Sequence, residues 1–331
     1  MRRRSLLALA LTAGSAVGAS LIGGYAKTQA RLREDGSVLD FRAGSRLTSI
    51  NPTNGASTAM DSTALMGPFR LELISRHNIR DPGLGLNEPS GLSLNADATA
   101  LYTVSDDTKA IYCMDLEGRV SISESLFVSV SDLEGLALSR DGQQLFAVQE
   151  DSNTVISVDL ASRRELQHRP LAEMANYASV AMYFPAEPDN KGLEGITVNT
   201  TNQHVFVVKE ARPGLLIELD PECGTILSSR LLSESNGFSH PRVGPGKLDF
   251  SGLSYDSQRH TLWIASDKGQ CLFHYDWNRD RVLQRLDLML DPEGKSKRVR
   301  KAEGIAVDSE RGRVYVVSDR DAELYVFQLH G

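Results

Sequence analysis

Five short stretches decide the fold: Glu88-Pro89-Ser90-Gly91-Leu92, Asp132-Leu133-Glu134-Gly135-Leu136, Gly192-Leu193-Glu194-Gly195-Ile196, Asp249-Phe250-Ser251-Gly252-Leu253 and Lys301-Ala302-Glu303-Gly304-Ile305. They align without gaps. Their glycines stand 44, 60, 57 and 52 residues apart, close to the period of propeller blades. Each stretch opens a short alternating strand, a polar turn and a second strand. In the last repeat these are Ile305-Ala306-Val307, Asp308-Ser309-Glu310-Arg311-Gly312 and Val314-Tyr315-Val316-Val317. A third strand follows, and the first four repeats add a fourth, such as residues 225–232. Four short strands per repeat, separated by turn residues, predict an all-β chain folded as a five-bladed β-propeller.

Working outward, the fifth repeat reaches Gly331 with only three strands, while residues 69–76 form a strand-like segment that belongs to no repeat. Pairing this segment into the last blade closes the ring and covers an exposed edge. One insertion, residues 171–184, is rich in Ala and Met and is expected to form a short helix between blades two and three. The propeller is thus expected over residues 67–331.

Upstream of it, Met1-Arg2-Arg3-Arg4 precedes an apolar, small-residue stretch that carries no charge from Ser5 to Tyr25. This is the pattern of a secretory signal or a signal anchor over residues 1–26. Val17-Gly18-Ala19 permits cleavage before Ser20, and the uncharged span is also about the ~20 residues that cross a bilayer. Residues 27–66 read as a flexible linker of Ser, Thr, Asn, Gly and Ala. With the basic residues first, the propeller is expected on the outer face of the inner membrane, facing the periplasm, or free in the periplasm after cleavage. The membrane is reached through the N-terminal segment only.

The chain carries a net charge of −7 and 41% hydrophobic residues. That balance fits a globular domain and excludes a general nucleic-acid binder, which needs a basic face. The basic run Lys295-Ser296-Lys297-Arg298-Val299-Arg300-Lys301 reads as a solvated turn between repeats. Three cysteines without CxxC spacing make no disulfide framework. They are expected to be packing residues, with Cys223 the exposed one.

Stacking the repeats brings out the chemistry. Fifteen residues after each repeat glycine stand Asp106, Glu150, Glu210, Asp267 and Asp319. The residue before the glycine is Glu134, Glu194 or Glu303 in three repeats and Ser90 or Ser251 in the others, where Glu88 and Asp249 stand two residues earlier. Hairpin geometry places both columns at one end of the propeller, near the mouth of the central channel. So many carboxylates around one opening repel one another unless cations neutralise them. Two readings stay open for the downstream column: strand-end residues that bond backbone amides across blades, or cation ligands. For Glu134, Glu194 and Glu303 the preferred reading is a hard cation held by oxygen, and calcium, which takes 6–8 oxygen ligands, suits best.

No GxSxG, HExxH, P-loop, EF-hand or His/Cys zinc pattern is present. His240, in the loop before blade four, is the histidine nearest the acidic rim by sequence, and a lone loop histidine is expected to be solvated. Ser105, Ser266 and Ser318 each precede an acidic residue; three equivalents in one ring suggest a structural hydrogen bond.

The starts Pro-Ser-Gly-Leu, Asp-Leu-Glu-Gly-Leu, Leu-Glu-Gly-Ile, Phe-Ser-Gly-Leu and Ala-Glu-Gly-Ile, with Val-Ser-Asp ending the second strand, resemble the SdiA-regulated (YjiK-like) family over residues 68–330. The resemblance implies a five-bladed propeller distantly related to NHL-repeat propellers, with calcium on Glu134, Glu194 and Glu303. The family carries no settled biochemical activity. The expected role is a calcium-binding module that takes a small ligand or a protein at the channel mouth. The alternative is a calcium-dependent hydrolase, a phosphoesterase, esterase or lactonase, using a rim carboxylate or His240 as base.

Overall fold

The computed structural model describes residues 68–185, 190–291 and 297–331. The proposed signal or anchor and the whole of the linker lie outside the described residues. Among those described, no helix is long and apolar enough to cross a membrane.

Among the described residues, twenty strands form five four-stranded antiparallel sheets. Blade one is β2 (Pro89–Leu94), β3 (Ala100–Ser105), β4 (Ala110–Asp115) and β5 (Val120–Phe127). Blade two is β6 (Leu133–Leu138), β7 (Gln144–Gln149), β8 (Thr154–Asp159) and β9 (Arg164–Pro170). Blade three is β10 (Leu193–Val198), β11 (Val205–Lys209), β12 (Leu215–Leu219) and β13 (Ile226–Leu231). Blade four is β14 (Leu253–Asp256), β15 (Thr261–Ser266), β16 (Cys271–Asp276) and β17 (Arg281–Asp287). Blade five joins β18 (Ala302–Asp308), β19 (Arg313–Ser318) and β20 (Glu323–His330) to β1 (Arg70–Asn78), in the order β1-β20-β19-β18.

The spare N-terminal strand therefore closes the last blade, pairing Arg70 with His330 and Asn78 with Glu323. Phe69 fastens it to blade four. The Phe69 N–H donates to Gln284 Oε1 (2.8 Å), the Gln284 amide donates back to Phe69 O (2.7 Å), and the ring meets Trp263 edge-on at 5.6 Å.

Five hydrophobic clusters fill the structure, one at each interface between neighbouring blades. The repeat glycines explain how the inner strands come so close. A Cβ on Gly91 would lie 2.6 Å from Glu134 O, and on Gly135 2.3 Å from Glu194 O. On Gly195 it would meet Leu253 N at 3.0 Å, on Gly252 Glu303 O at 2.6 Å, and on Gly304 the carbonyl carbon of Gly91 at 2.5 Å. Each glycine faces the next blade's backbone, and the fifth returns to the first. The ring leaves no room for a side chain at these positions.

Two expectations are corrected. Residues 171–184 form three single 3₁₀ turns, Leu171–Glu173, Tyr177–Ser179 and Ala181–Tyr183, where one helix was expected. Asn176 adopts a left-handed backbone (φ 66°) that interrupts any helix, and Leu171, Met174 and Val180 instead plug the interface between blades two and three. Cys223 is buried, not exposed. Asp220 accepts the Gly224 and Thr225 amides (2.7 and 3.0 Å), and this turn folds the thiol into the same cluster. Burial there pushes its pKa up to about 12. All three cysteines are free and buried.

Candidate functional site

The glutamates before the repeat glycines sit in β-bulges. Register slips by one residue between Leu133 and Gly135, between Leu193 and Gly195, and between Ala302 and Gly304, so Glu134, Glu194 and Glu303 are the extra residues of their inner strands. A bulge re-aims a side chain, and these three enter a single axial cavity of about 270 Å³. In blade one the slip falls between Ser90 and Leu92. Glu88 lies before β2, upstream of that slip; it is not among the residues of the axial cavity and lines an adjoining depression of about 410 Å³ with Asp106, Lys301 and Asp319.

The second column follows the second strand of every blade and reaches the same cavity. Asp106, Glu150, Glu210, Asp267 and Asp319 line it, as do Asp249, Ser90 and Ser251. Backbone bonds close each hairpin here: the amides of Glu150, Glu210 and Asp319 donate to the carbonyls of Asp132 (3.2 Å), Gly192 (2.9 Å) and Lys301 (3.1 Å). Bonding across blades is also real. Gly192 N–H donates to Glu150 Oε1 at 3.0 Å, and the Lys301 amide donates to the Asp267 carboxylate. The serines are structural: Ser266 Oγ donates to Asp249 (2.9 Å), Ser318 Oγ to Arg300 O (2.5 Å), and Ser105 Oγ accepts from Glu88 N (3.3 Å).

Sequence reasoning missed three lysines, Lys191, Lys268 and Lys301, that also line the cavity. Lys191 pairs with Glu210 and Lys301 with Asp319, while Lys268 lies 3.0 Å from Asp249 and 3.8 Å from Glu210. Lys301 also stands 3.9 Å from Glu303. Among the described residues, nine carboxylates and three lysines line the cavity, so acids far outnumber the cations that could balance them.

The lysines pair with acids of blades three to five. Ligand oxygens of Asp132, Glu134 and Glu150, none of them ion-paired with a lysine among the described residues, lie within 4.8 Å of one another, and so do those of Glu150, Glu194 and Glu210, the last of which is paired with Lys191. Asp132 stands in the same repeat position as Glu88 and Asp249, a signal present in the sequence but not read there.

Burial, reinforced by like charge, dominates the electrostatics. Glu134 is raised to about 8, by burial first and then by Asp106, while Ser90 Oγ donates to it at 2.6 Å. Burial raises Asp106 to about 6, with Asp319 and Glu88 adding to it. Glu150, Asp132 and Asp267 are raised too, again mainly by burial. Glu194 and Glu303 rise well above the carboxylate range. Glu194 lies deep among Glu303, Glu134, Glu210 and Glu150, and Glu303 feels Asp267 most. The cavity keeps Glu194 reachable by a small ion although the surrounding protein desolvates it.

His240 is not part of this site and is not solvated. Its side chain is fully buried in the wall of a different cavity, with Nδ1 accepting from the Arg242 amide at 3.1 Å and Nε2 3.6 Å from Asp287. Burial, with Arg285 nearby, lowers its pKa.

A family model described as SdiA-regulated matches residues 77–328. The chain belongs to the SdiA-regulated family. Among solved structures, this SdiA-regulated propeller is similar to the glutaminyl cyclase of Myxococcus xanthus, with a TM-score of 0.55 and 12% identity over 79% of this chain and 97% of that one. At that identity the likeness shows the shared fold alone.

Proposed function

We propose that the channel mouth binds calcium, and that the propeller works as a calcium-loaded module for a small ligand or a protein. The observation that carries this reading is Glu194. Its carboxylate has no hydrogen bond or ion pair among the described residues, yet it is packed among four other acids. Such a group must hold a proton or meet a cation. The donor set suits a hard ion: its acidic ligands offer carboxylate oxygens, and among the described residues no His or Cys lines the cavity. Glu150, Glu194 and Glu210, whose oxygens lie within 4.8 Å of one another, would hold the ion, with Glu134 and Glu303 as further carboxylates of the same cavity. Calcium bound there would cancel their repulsion and present an open positive centre to an acidic group of a partner.

In this reading residues 1–26 tether the propeller to the outer face of the inner membrane, or release it to the periplasm once cleaved. A hydrolytic role would take its base from the carboxylates, since His240 lies in another cavity. The test is calorimetric titration of the full-length chain with calcium and with magnesium. Saturable calcium binding that is lost in Glu194→Gln supports the proposal, and a parent protein that takes up no calcium ends it.

A further inference from the structure

A second cavity, of about 650 Å³, lies on the same face between blades three and four. It has the size of a small-molecule site. Its walls are Pro213, Leu232, Phe238, Val243, Leu248 and Phe250. The floor is rigid: Phe238 meets Phe250 edge-on at 5.2 Å and Phe273 at 5.1 Å, and Gly214 admits the Phe250 ring, whose nearest carbon would stand 2.2 Å from any Cβ there.

Only a thin wall separates this cavity from the acidic mouth. Asp249 and Ser251 face the mouth while Phe250 between them lines the pocket, and Glu210 of the mouth stands two residues before Arg212 of the pocket. Arg212 is exposed and holds a left-handed backbone (φ 54°), a conformation that costs a residue with a side chain about 1 kcal/mol or more. Its guanidinium makes no hydrogen bond or ion pair among the described residues. Arg212 is therefore a fork-shaped donor beside an aromatic pocket.

We infer that this pocket binds a small amphipathic carboxylate, its apolar body on Phe238 and Phe250 and its carboxylate on Arg212. The guanidinium fork matches a carboxylate with two parallel hydrogen bonds, a match that neither an amide nor an amine provides. The acid on the pocket wall, Glu234, opposes an anionic ligand and tunes affinity downward.

The test is titration of the full-length protein with 4-phenylbutyrate, 4-phenylbutyramide and 4-phenylbutylamine, followed by calorimetry. The carboxylate should bind saturably and at least ~10-fold more tightly than the amide, with the amine weakest. Arg212→Gln should erase that preference, and Glu234→Gln should strengthen carboxylate binding about 2-fold. Val243→Trp should fill the pocket and abolish binding; Leu248→Trp serves the same purpose if the first variant loses its near-UV circular dichroism. Glu194→Gln should leave carboxylate binding intact, which separates this site from the calcium mouth. The inference is overturned by no saturable carboxylate binding, by equal affinity for the amide, by binding that survives a folded blocking variant, or by binding lost in Glu194→Gln.

Discussion

The two arcs of the acidic mouth are built on one backbone and carry opposite solutions to the same electrostatic problem. Asp132 in blade two and Lys301 in blade five occupy the same repeat position. Both are left-handed (φ 64° and 45°), and both carbonyls accept the amide of the downstream acid, at 3.2 Å from Glu150 and 3.1 Å from Asp319. Only the side chains differ. Lys301 neutralises Asp319 and approaches Glu303, whereas Asp132 adds a further carboxylate to Glu134 and Glu150. The fold sets where the charge at this position goes, and the residue there decides whether the neighbouring acids are neutralised from within, as Lys301 neutralises Asp319, or gain one more carboxylate, as at Asp132.

The comparison first requires that both arcs share one frame, which the glycine ring supplies. Gly135→Ala and Gly252→Ala would put a Cβ 2.3 Å from Glu194 O and 2.6 Å from Glu303 O. Neither backbone can retreat without opening the ring, so each variant should lose about 3 kcal/mol or more in calcium-free urea unfolding. A mild effect of either one would mean the blades are not held in common, and the two arcs could not be compared as equivalents.

Within that frame, the arcs should answer differently to loss of one charge. Glu194→Gln should weaken calcium about 100-fold, close to 2.7 kcal/mol. Glu303→Gln, beside Lys301, should cost less than about tenfold, because the lysine already offsets its charge. Equal losses in calorimetric titration would place the ion between both glutamates and remove the distinction between arcs.

Proton competition should mark the bare arc. Glu134, raised to about 8, binds its proton more tightly folded than unfolded, where the ordinary value is 4.5. In the calcium-free protein the associated stability is therefore complete below about pH 4.5 and is lost as pH rises towards 8 and beyond. Calcium must displace that proton, so its affinity should rise between pH 6 and 8 by up to about tenfold per unit for each proton released. Titrations in buffers of different ionisation enthalpy count those protons. A pH-independent affinity would mean that the ion does not contact Glu134.

Much of this was legible in the sequence because it repeats. The glycine column, the acid fifteen residues later and the spare strand at residues 69–76 each recur or complete a pattern, and the structure bears out the five blades and the closure. The lysines were not legible, because Lys191, Lys268 and Lys301 stand at three different offsets from their glycines and meet only across blades. The bulges were hidden for a related reason: a one-residue slip leaves the alignment of starts unchanged, yet it aims Glu134 into the channel in blade two and falls after Ser90 in blade one. His240 and Cys223 looked like exposed loop residues, and only long-range packing buries them.

The smallest predicted effect tests the cover itself. Lys301→Gln removes the cation that pairs with Asp319 and stands 3.9 Å from Glu303. The lysine side chain is half exposed, so solvent screens much of the pair and the calcium-free protein should lose only about 1 kcal/mol or less. Calcium affinity should nonetheless rise about 3-fold, since the covered arc would gain the unbalanced charge that the bare arc already has. The two readouts move in opposite directions only if the lysine substitutes for the ion. A variant that lost stability and calcium affinity together would show that Lys301 merely holds the mouth in shape, and that the arcs differ in structure rather than in how they are neutralised.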